Sequence, residues 1–290
     1  MRTFENYNPR AVAVCFLAAA GISMFSMDPI ILSLSLAGAL AYFFARNGLR
    51  EAGMHLWTSL LFLATALINP LTYHNGVTVL FVMNNNPITL EALLYGIAAG
   101  GMIVSILYWF RSFSQIMTSD KLLYLFGSLS PKISLILSMT LRYIPLFGKQ
   151  AAQVKKSQTA LGLYKEDNIV DRFRGGMRIF SVMVTWALEN GIITADSMTA
   201  RGYGIGRRSH FSIFTFRRDD VLLLIVSVLL SAIALAGISV RTVEYYPAFS
   251  ATPMNMQAFI GYAAYGILAF LPTIIQIKEA VRWHFLHSKM

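Results

Sequence analysis

An arginine set between small residues is the most chemically pointed feature of this chain. In Ala200-Arg201-Gly202-Tyr203-Gly204, alanine and glycine strip away side-chain bulk, so another backbone or helix can approach closely. The guanidinium between them presents a planar fork of N–H donors to carboxylates or helix-end carbonyls on that neighbour. Glycines at 202, 204 and 206 then break the helix. The same residues also fit a plain helix end, with a glycine cap and a solvated arginine.

Other residues invite chemistry less strongly. Glu91 and Glu189 lie in apolar context, where an ionisable group is a functional candidate by default. Glu91 also reads as a helix-start acid. Glu189 is placed to pair with Arg142 or Arg178. Arg207, Arg208, Arg217 and Arg218 read as holders of anionic lipid headgroups at the end of a span. His284 and His287 are one helical turn apart, but with no carboxylate or thiol close by they make a poor metal site and read as solvated. Fourteen methionines, among them Met139, Met177, Met183 and Met198, suit either helix-interface filling or a soft surface that accepts partners. No Gly-x-x-x-x-Gly-Lys-Ser/Thr loop, His-Glu-x-x-His or Gly-x-Ser-x-Gly motif occurs, so ATP binding by a phosphate loop and the corresponding hydrolase chemistries are excluded.

The elements that must position these residues are apolar. The chain has 290 residues, 56% hydrophobic and 13% charged, with a mean hydropathy of +0.57. The charged share is about half that of a soluble domain. Six segments are long and apolar enough to cross a bilayer: 11–27, 29–45, 53–70, 88–110, 219–240 and 257–277. Asn69-Pro70 is expected to end the third, Pro87 to start the fourth, and Asp219-Asp220 to open the fifth. Cys15, the single cysteine, sits in an apolar run and reads as a small hydrophobe. The first apolar run lacks a small-residue cleavage site and reads as a retained helix rather than a signal peptide.

Charge is distributed unevenly. Residues 111–218 hold 16 of the 24 Lys and Arg but only 6 of the 14 Asp and Glu, which places the whole net charge of +10 there. With both termini cytoplasmic, Arg2, Arg10, Arg46, Arg50, the basic region and Lys278, Arg282 and Lys289 all fall inside. The outer loops are then the Asp28 turn, 71–87 without Lys or Arg, and 241–256 with only Arg241. An all-α, multi-pass membrane protein is expected. Three parts are expected: 1–110, an N-terminal membrane domain; 111–218, a cytoplasmic region; and 219–290, a C-terminal membrane domain. The high pI suggests nucleic acid, but no RNA-binding aromatic motif, zinc spacing or isolated basic helix accompanies it, so nucleic acid is not an expected partner.

Within 111–218 two helical arms are expected. One starts with the apolar run 133–147, around Arg142 and Pro145, and ends in Ala160-Leu161-Gly162. The other starts with 179–193 and ends in Ala200-Arg201-Gly202. The charged stretch 164–178 between them is expected to turn at Gly175-Gly176.

The run TADSMTARGYG at 194–204, after a long amphipathic arm and before a new span, resembles the transmembrane T component of energy-coupling factor (ECF) transporters. Asn69-Pro70-Leu71 with Gly76 and Leu80-Phe81, Ile88 through Ala92, Tyr95-Gly96, Ser130-Pro131-Lys132 and Leu141 through Pro145 resemble other parts of that family, in order, over about residues 54–240. The resemblance implies a scaffold rather than an enzyme. It implies two cytoplasmic coupling helices whose ends dock in two ABC ATPase subunits, and a separate S component that binds a vitamin or transition metal. ATP and Mg would be bound by the partners, and no cofactor by this chain. Ala200, Arg201 and Gly202 match the second docking motif in full. Ala160, Leu161 and Gly162 occupy the first, with Leu161 where the family has arginine; Lys155, Lys156 or Lys165 would then supply charge there. The apolar runs of the arms would form the platform for the S component, with membrane lipids around the spans. Two rival readings are a membrane enzyme acting on lipid or prenyl substrates and a stand-alone transporter. The scattered carboxylates and histidines speak against the first, and the scarcity of mid-membrane charge against the second.

Overall fold

The computed structural model describes residues 4–48, 51–83, 86–164, 168–206 and 214–287. Arg2, Arg50, Lys165, Arg207, Arg208 and Lys289 lie outside the described residues, as do the side chains of His284 and His287. After a short 3-10 turn at Phe4–Asn6 come α1 (Pro9–Phe25), α2 (Pro29–Asn47) and α3 (Ala52–Thr72). A hairpin of β1 (Val79–Met83) and β2 (Asn86–Thr89) leads into α4 (Leu90–Ile116). Then follow α5 (Ser119–Leu129), α6 (Pro131–Ala160), α7 (Ile169–Ala200) and α8 (Arg218–Ile238). A second small hairpin, β3 (Val243–Glu244) with β4 (Ser250–Ala251), precedes α9 (Met256–His287).

All six apolar segments are helices. Among the described residues α2, α3, α4, α8 and α9 are long and apolar enough to cross a membrane, and α1 is a shorter apolar helix of 17 residues. The protein is an all-α integral membrane protein. The chain divides into two compact units, one of Met1–Leu122 with Phe214–Met290, the other of Leu123–Ile213.

The tight turns of the first unit are written locally. Asn8 and Asp28 each precede a proline, and each side chain accepts the backbone N–H two residues on, Arg10 at 3.1 Å and Ile30 at 3.0 Å. The side chain satisfies an orphan donor of the helix start, while proline needs none. The core joins Phe4, Phe16, Tyr42 and Trp109, with Phe16 edge-on to Tyr42 and to Trp109 at 5.5 Å. Trp109 Nε1 donates to Ser35 Oγ at 3.0 Å, and Ser35 and Ser105 hydroxyls meet at 2.5 Å, so these three side chains satisfy one another inside the bundle. α8 and α9 touch backbone to backbone: a Cβ on Gly237 would lie 2.5 Å from Gly261 Cα. Small residues at such a crossing replace the hydrophobic driving force that lipid abolishes. Outward, α3 and α8 expose Leu56, Trp57, Leu60, Leu222, Ile225 and Leu229, a surface suited to acyl chains.

Three expectations are corrected. Pro87 lies in β2, and α4 starts three residues later with Thr89 as its cap, its hydroxyl accepting from Ala92 N at 3.4 Å. Asn69-Pro70 does not end α3, which continues to Thr72. Proline removes only the bond to the carbonyl four residues back, that of Ala66, and Gly96 of α4 packs so closely on this freed oxygen that a Cβ there would sit 2.8 Å away. Gly175-Gly176 is no turn, because both lie inside α7.

Candidate functional site

The two arms of the second unit are α6 and α7, and their tips have the same construction. At the end of α6, Leu161 is the C-cap, Gly162 N donates to Thr159 O at 3.0 Å and Leu163 N to Gln158 O at 2.9 Å. At the end of α7, Arg201 is the C-cap, Gly202 N donates to Thr199 O at 3.0 Å and Tyr203 N to Met198 O at 3.0 Å. This is the Schellman pattern twice, atom for atom. It needs a left-handed residue just past the cap, and Gly162 (φ 69°) and Gly202 (φ 81°) supply it without a Cβ clash.

The turn lifts the residue before the glycine into the open. Leu161 is 73% exposed, an unfavourable position for a leucine in water. Arg201 is exposed, and its side chain makes no hydrogen bond or ion pair with the described residues. Ala160 and Ala200, also exposed, keep the flank of each tip low. Each tip therefore projects one side chain from a narrow, rigid backbone. One projects an apolar plug, the other a guanidinium with its donors unused.

The arms cross midway. Tyr143 and Thr194 hydroxyls meet at 2.8 Å, and Phe147 stands edge-on to Trp186 with ring centroids 5.4 Å apart. Rising numbers on α6 meet falling numbers on α7, so the pairing is antiparallel and the tips lie on opposite sides of the crossing. From Phe147 to Ala160 and from Trp186 to Ala200 the helices run roughly 20 Å, at 1.5 Å per residue. The tips are thus about equally far from the ring contact, but from the Tyr143–Thr194 contact the first tip is the farther one.

The first tip is also tied to the other arm. Tyr164 lies over Gly175, where a Cβ would come within 2.4 Å of the ring. Lys155 Nζ sits 4.8 Å from the centre of the same ring, and Arg178 Nη1 donates to Leu163 O at 3.1 Å. Of the lysines expected to bring charge to this tip, Lys155 is thus turned onto Tyr164, whereas Lys156 is exposed. Arg142 and Glu189 are exposed, and no ion pair joins Glu189 to Arg142 or Arg178 among the described residues. Ile133, Ile136 and Ile144 on α6, with Phe180, Leu188 and Ile192 on α7, leave large apolar side chains exposed along both arms.

Sequence reasoning found the tips but missed what orients them. Tyr164, Gln158 and the Phe147–Trp186 contact were not singled out, and Gly175 was read as a turn rather than as the seat of a ring. One signal was present: Tyr143 and Phe147 are four residues apart and stack on one face of α6 at 5.7 Å, ready for a partner ring. In the first unit, Glu91 is both helix-start acid and anchor. Its Oε1 accepts from Thr78 N at 3.3 Å and from the Thr78 hydroxyl, tying the hairpin approach to α4.

Comparison with known proteins identifies a family. The profile of a family described as CbiQ, cobalt transport protein, matches residues 3–213, a stretch that contains both arms and both tips. The energy-coupling factor transporter transmembrane protein EcfT 1 of Listeria monocytogenes serotype 1/2a (strain 08-5578) is 30% identical over 102 residues. That stretch is 34% of this chain and 38% of the Listeria protein, so the match spans well under two thirds of the relative. The family match covers most of the chain, and this membrane protein belongs to the CbiQ family, described as cobalt transport proteins.

Proposed function

We propose that this chain is the coupling scaffold of an ECF-type importer. Two ABC ATPase subunits, which bind ATP and Mg, dock on the tips at Ala160-Leu161-Gly162 and Ala200-Arg201-Gly202. A separate S component carries the substrate, a vitamin or a transition metal, and packs on the apolar faces of α6 and α7. The basic region and both termini face the cytoplasm, as the distribution of Lys and Arg favours.

The observation that carries this reading is the pair of identical caps at the ends of the two arms, each projecting one exposed side chain. Two like tips on one rigid pair suit two like motors. When nucleotide binding draws the ATPase subunits together, seated tips must follow, and the angle between α6 and α7 changes about the Phe147–Trp186 contact. Whatever rests on the apolar faces of the arms moves with them. Leu161 in place of arginine makes the tips chemically unequal: Arg201 suits a groove with carboxylates or helix-end carbonyls, Leu161 an apolar one. Such a pair fits two different ATPase subunits.

The test is co-expression of the full chain with the ABC ATPases and S component of an ECF module from the same source, followed by capture on this chain. The wild type retains ATPases, whereas Arg201→Glu loses at least one and Leu161→Asp another. Full retention by both variants would sink the proposal, as would ATP hydrolysis by the chain alone.

A further inference from the structure

Two cavities meet at the start of α8, and Arg217 lines both. The first, of about 490 Å³, is polar: Arg217 from the approach to α8, Lys278 and Arg282 from α9, and Tyr7 from the segment before α1 surround it, with the carboxylates of Asp219 and Glu279. Lys278 and Arg282 are four residues apart and so share a face of α9. The third carboxylate of this corner, Asp220, is buried and accepts the backbone N–H groups of Asn8 and Arg217, both at 2.9 Å. It serves the helix start rather than the cup. Three cations against two carboxylates leave the cup positive.

The second cavity, of about 450 Å³, is an apolar groove that runs from Phe216 and Arg218 along Val221, Leu222, Ile225 and Val226. From Arg218 to Val226 the helix rises about 12 Å at 1.5 Å per residue. Leu222 and Ile225 are exposed, so the groove opens on the lipid side of α8. A positive cup at the end of a span, sharing Arg217 with an apolar groove on the lipid-facing side of α8, has the chemistry of an anionic amphiphile. An inorganic phosphate would use the cup and leave the groove empty. A zwitterionic lipid would use the groove but set its own ammonium among Arg217, Lys278 and Arg282.

We propose that this corner binds one anionic phospholipid, phosphate in the cup and one acyl chain in the groove. The lipid bridges α8, α9 and the N-terminal segment, three elements from distant parts of the sequence that meet here. Every residue of the site lies in the unit of Met1–Leu122 and Phe214–Met290, whereas both tips belong to the other unit.

The test is native mass spectrometry and thermal unfolding of the full chain in detergent. Dioleoyl-phosphatidylglycerol, dioleoyl-phosphatidylcholine and inorganic phosphate are titrated in parallel. One phosphatidylglycerol is expected to bind roughly tenfold tighter than phosphatidylcholine and to raise the unfolding temperature. Lys278→Gln/Arg282→Gln is expected to abolish that preference, and Leu222→Trp, which fills the groove, to weaken both lipids. Equal binding of the two lipids by the wild type would overturn the proposal without recourse to any variant. So would a preference that survives Lys278→Gln/Arg282→Gln, or stabilisation by phosphate equal to that by phosphatidylglycerol.

Discussion

Gly162 and Gly202 do work that no other residue type does cheaply. Each holds a left-handed backbone, and each lets two amides fold back onto the last turn of its helix. An L side chain in that conformation costs roughly 1–2 kcal/mol. Gly202→Val is therefore expected to open the cap and to speed hydrogen exchange at the amides of residues 202 and 203 by about tenfold or more. Arg201→Ala keeps the cap, and exchange there should stay unchanged, although the proposed docking should be weakened. Exchange that rises equally in both variants would show that the arginine, not the glycine, holds the turn. The tip was legible in the sequence because it is local: a small residue, an exposed residue and a glycine within one turn. Tyr164 over Gly175 was not legible, because that contact exists only once the chain has reversed. The adjacent glycines 175 and 176 read as a turn for the reason that glycine is the common breaker. Here the first is present because a ring covers it.

At the scale of the element, the arms depend on a small contact. Phe147 against Trp186 and Tyr143 against Thr194 join two helices of 30 and 32 residues. Aromatic pairs contribute about 0.5–1.5 kcal/mol beyond their buried area, so one substitution weakens this crossing substantially. Trp186→Ala is expected to broaden the distance distribution between spin labels at positions 156 and 197, read by double electron–electron resonance. An unchanged distribution would place the pivot elsewhere. Helix existence was plain from hydropathy and apolar length, but two boundaries were not. Pro87 marks helix starts in general, yet here β1 already pairs with β2 and proline takes an extended position. Pro70 breaks helices in general, yet it falls in the last turns of α3, where little remains to break.

For the whole molecule, the distribution of charge carried most of the architecture. An apolar chain with its net charge in one internal stretch suggests a membrane anchor and a polar appendage, while the compact units are Met1–Leu122 with Phe214–Met290 and Leu123–Ile213. What charge counting could not show is that Arg241, the lone cation of the expected outer loops, is already engaged. Arg241 Nη1 lies 3.6 Å from Asp28 Oδ2 and donates to the Tyr262 hydroxyl at 3.0 Å, and Tyr262 donates to the same carboxylate. Asp28 and Arg241 side chains are 7% and 14% exposed, so either one alone is a stranded charge. Asp28→Leu and Arg241→Leu are each expected to cost about 3 kcal/mol, visible as a lower unfolding temperature in detergent. The double variant should lose less than the two singles together. Additive losses would mean that the pair is not coupled. At the far ends of the arms, the duplicated backbone turn has an evolutionary corollary. Because glycine and the helix's own carbonyls set its shape, the residue at its crest is free to vary. If the tips dock as proposed, mutation at 161 or at 201 alone would retune one contact while the other stays fixed, so one scaffold could acquire a mismatched pair of drivers a codon at a time.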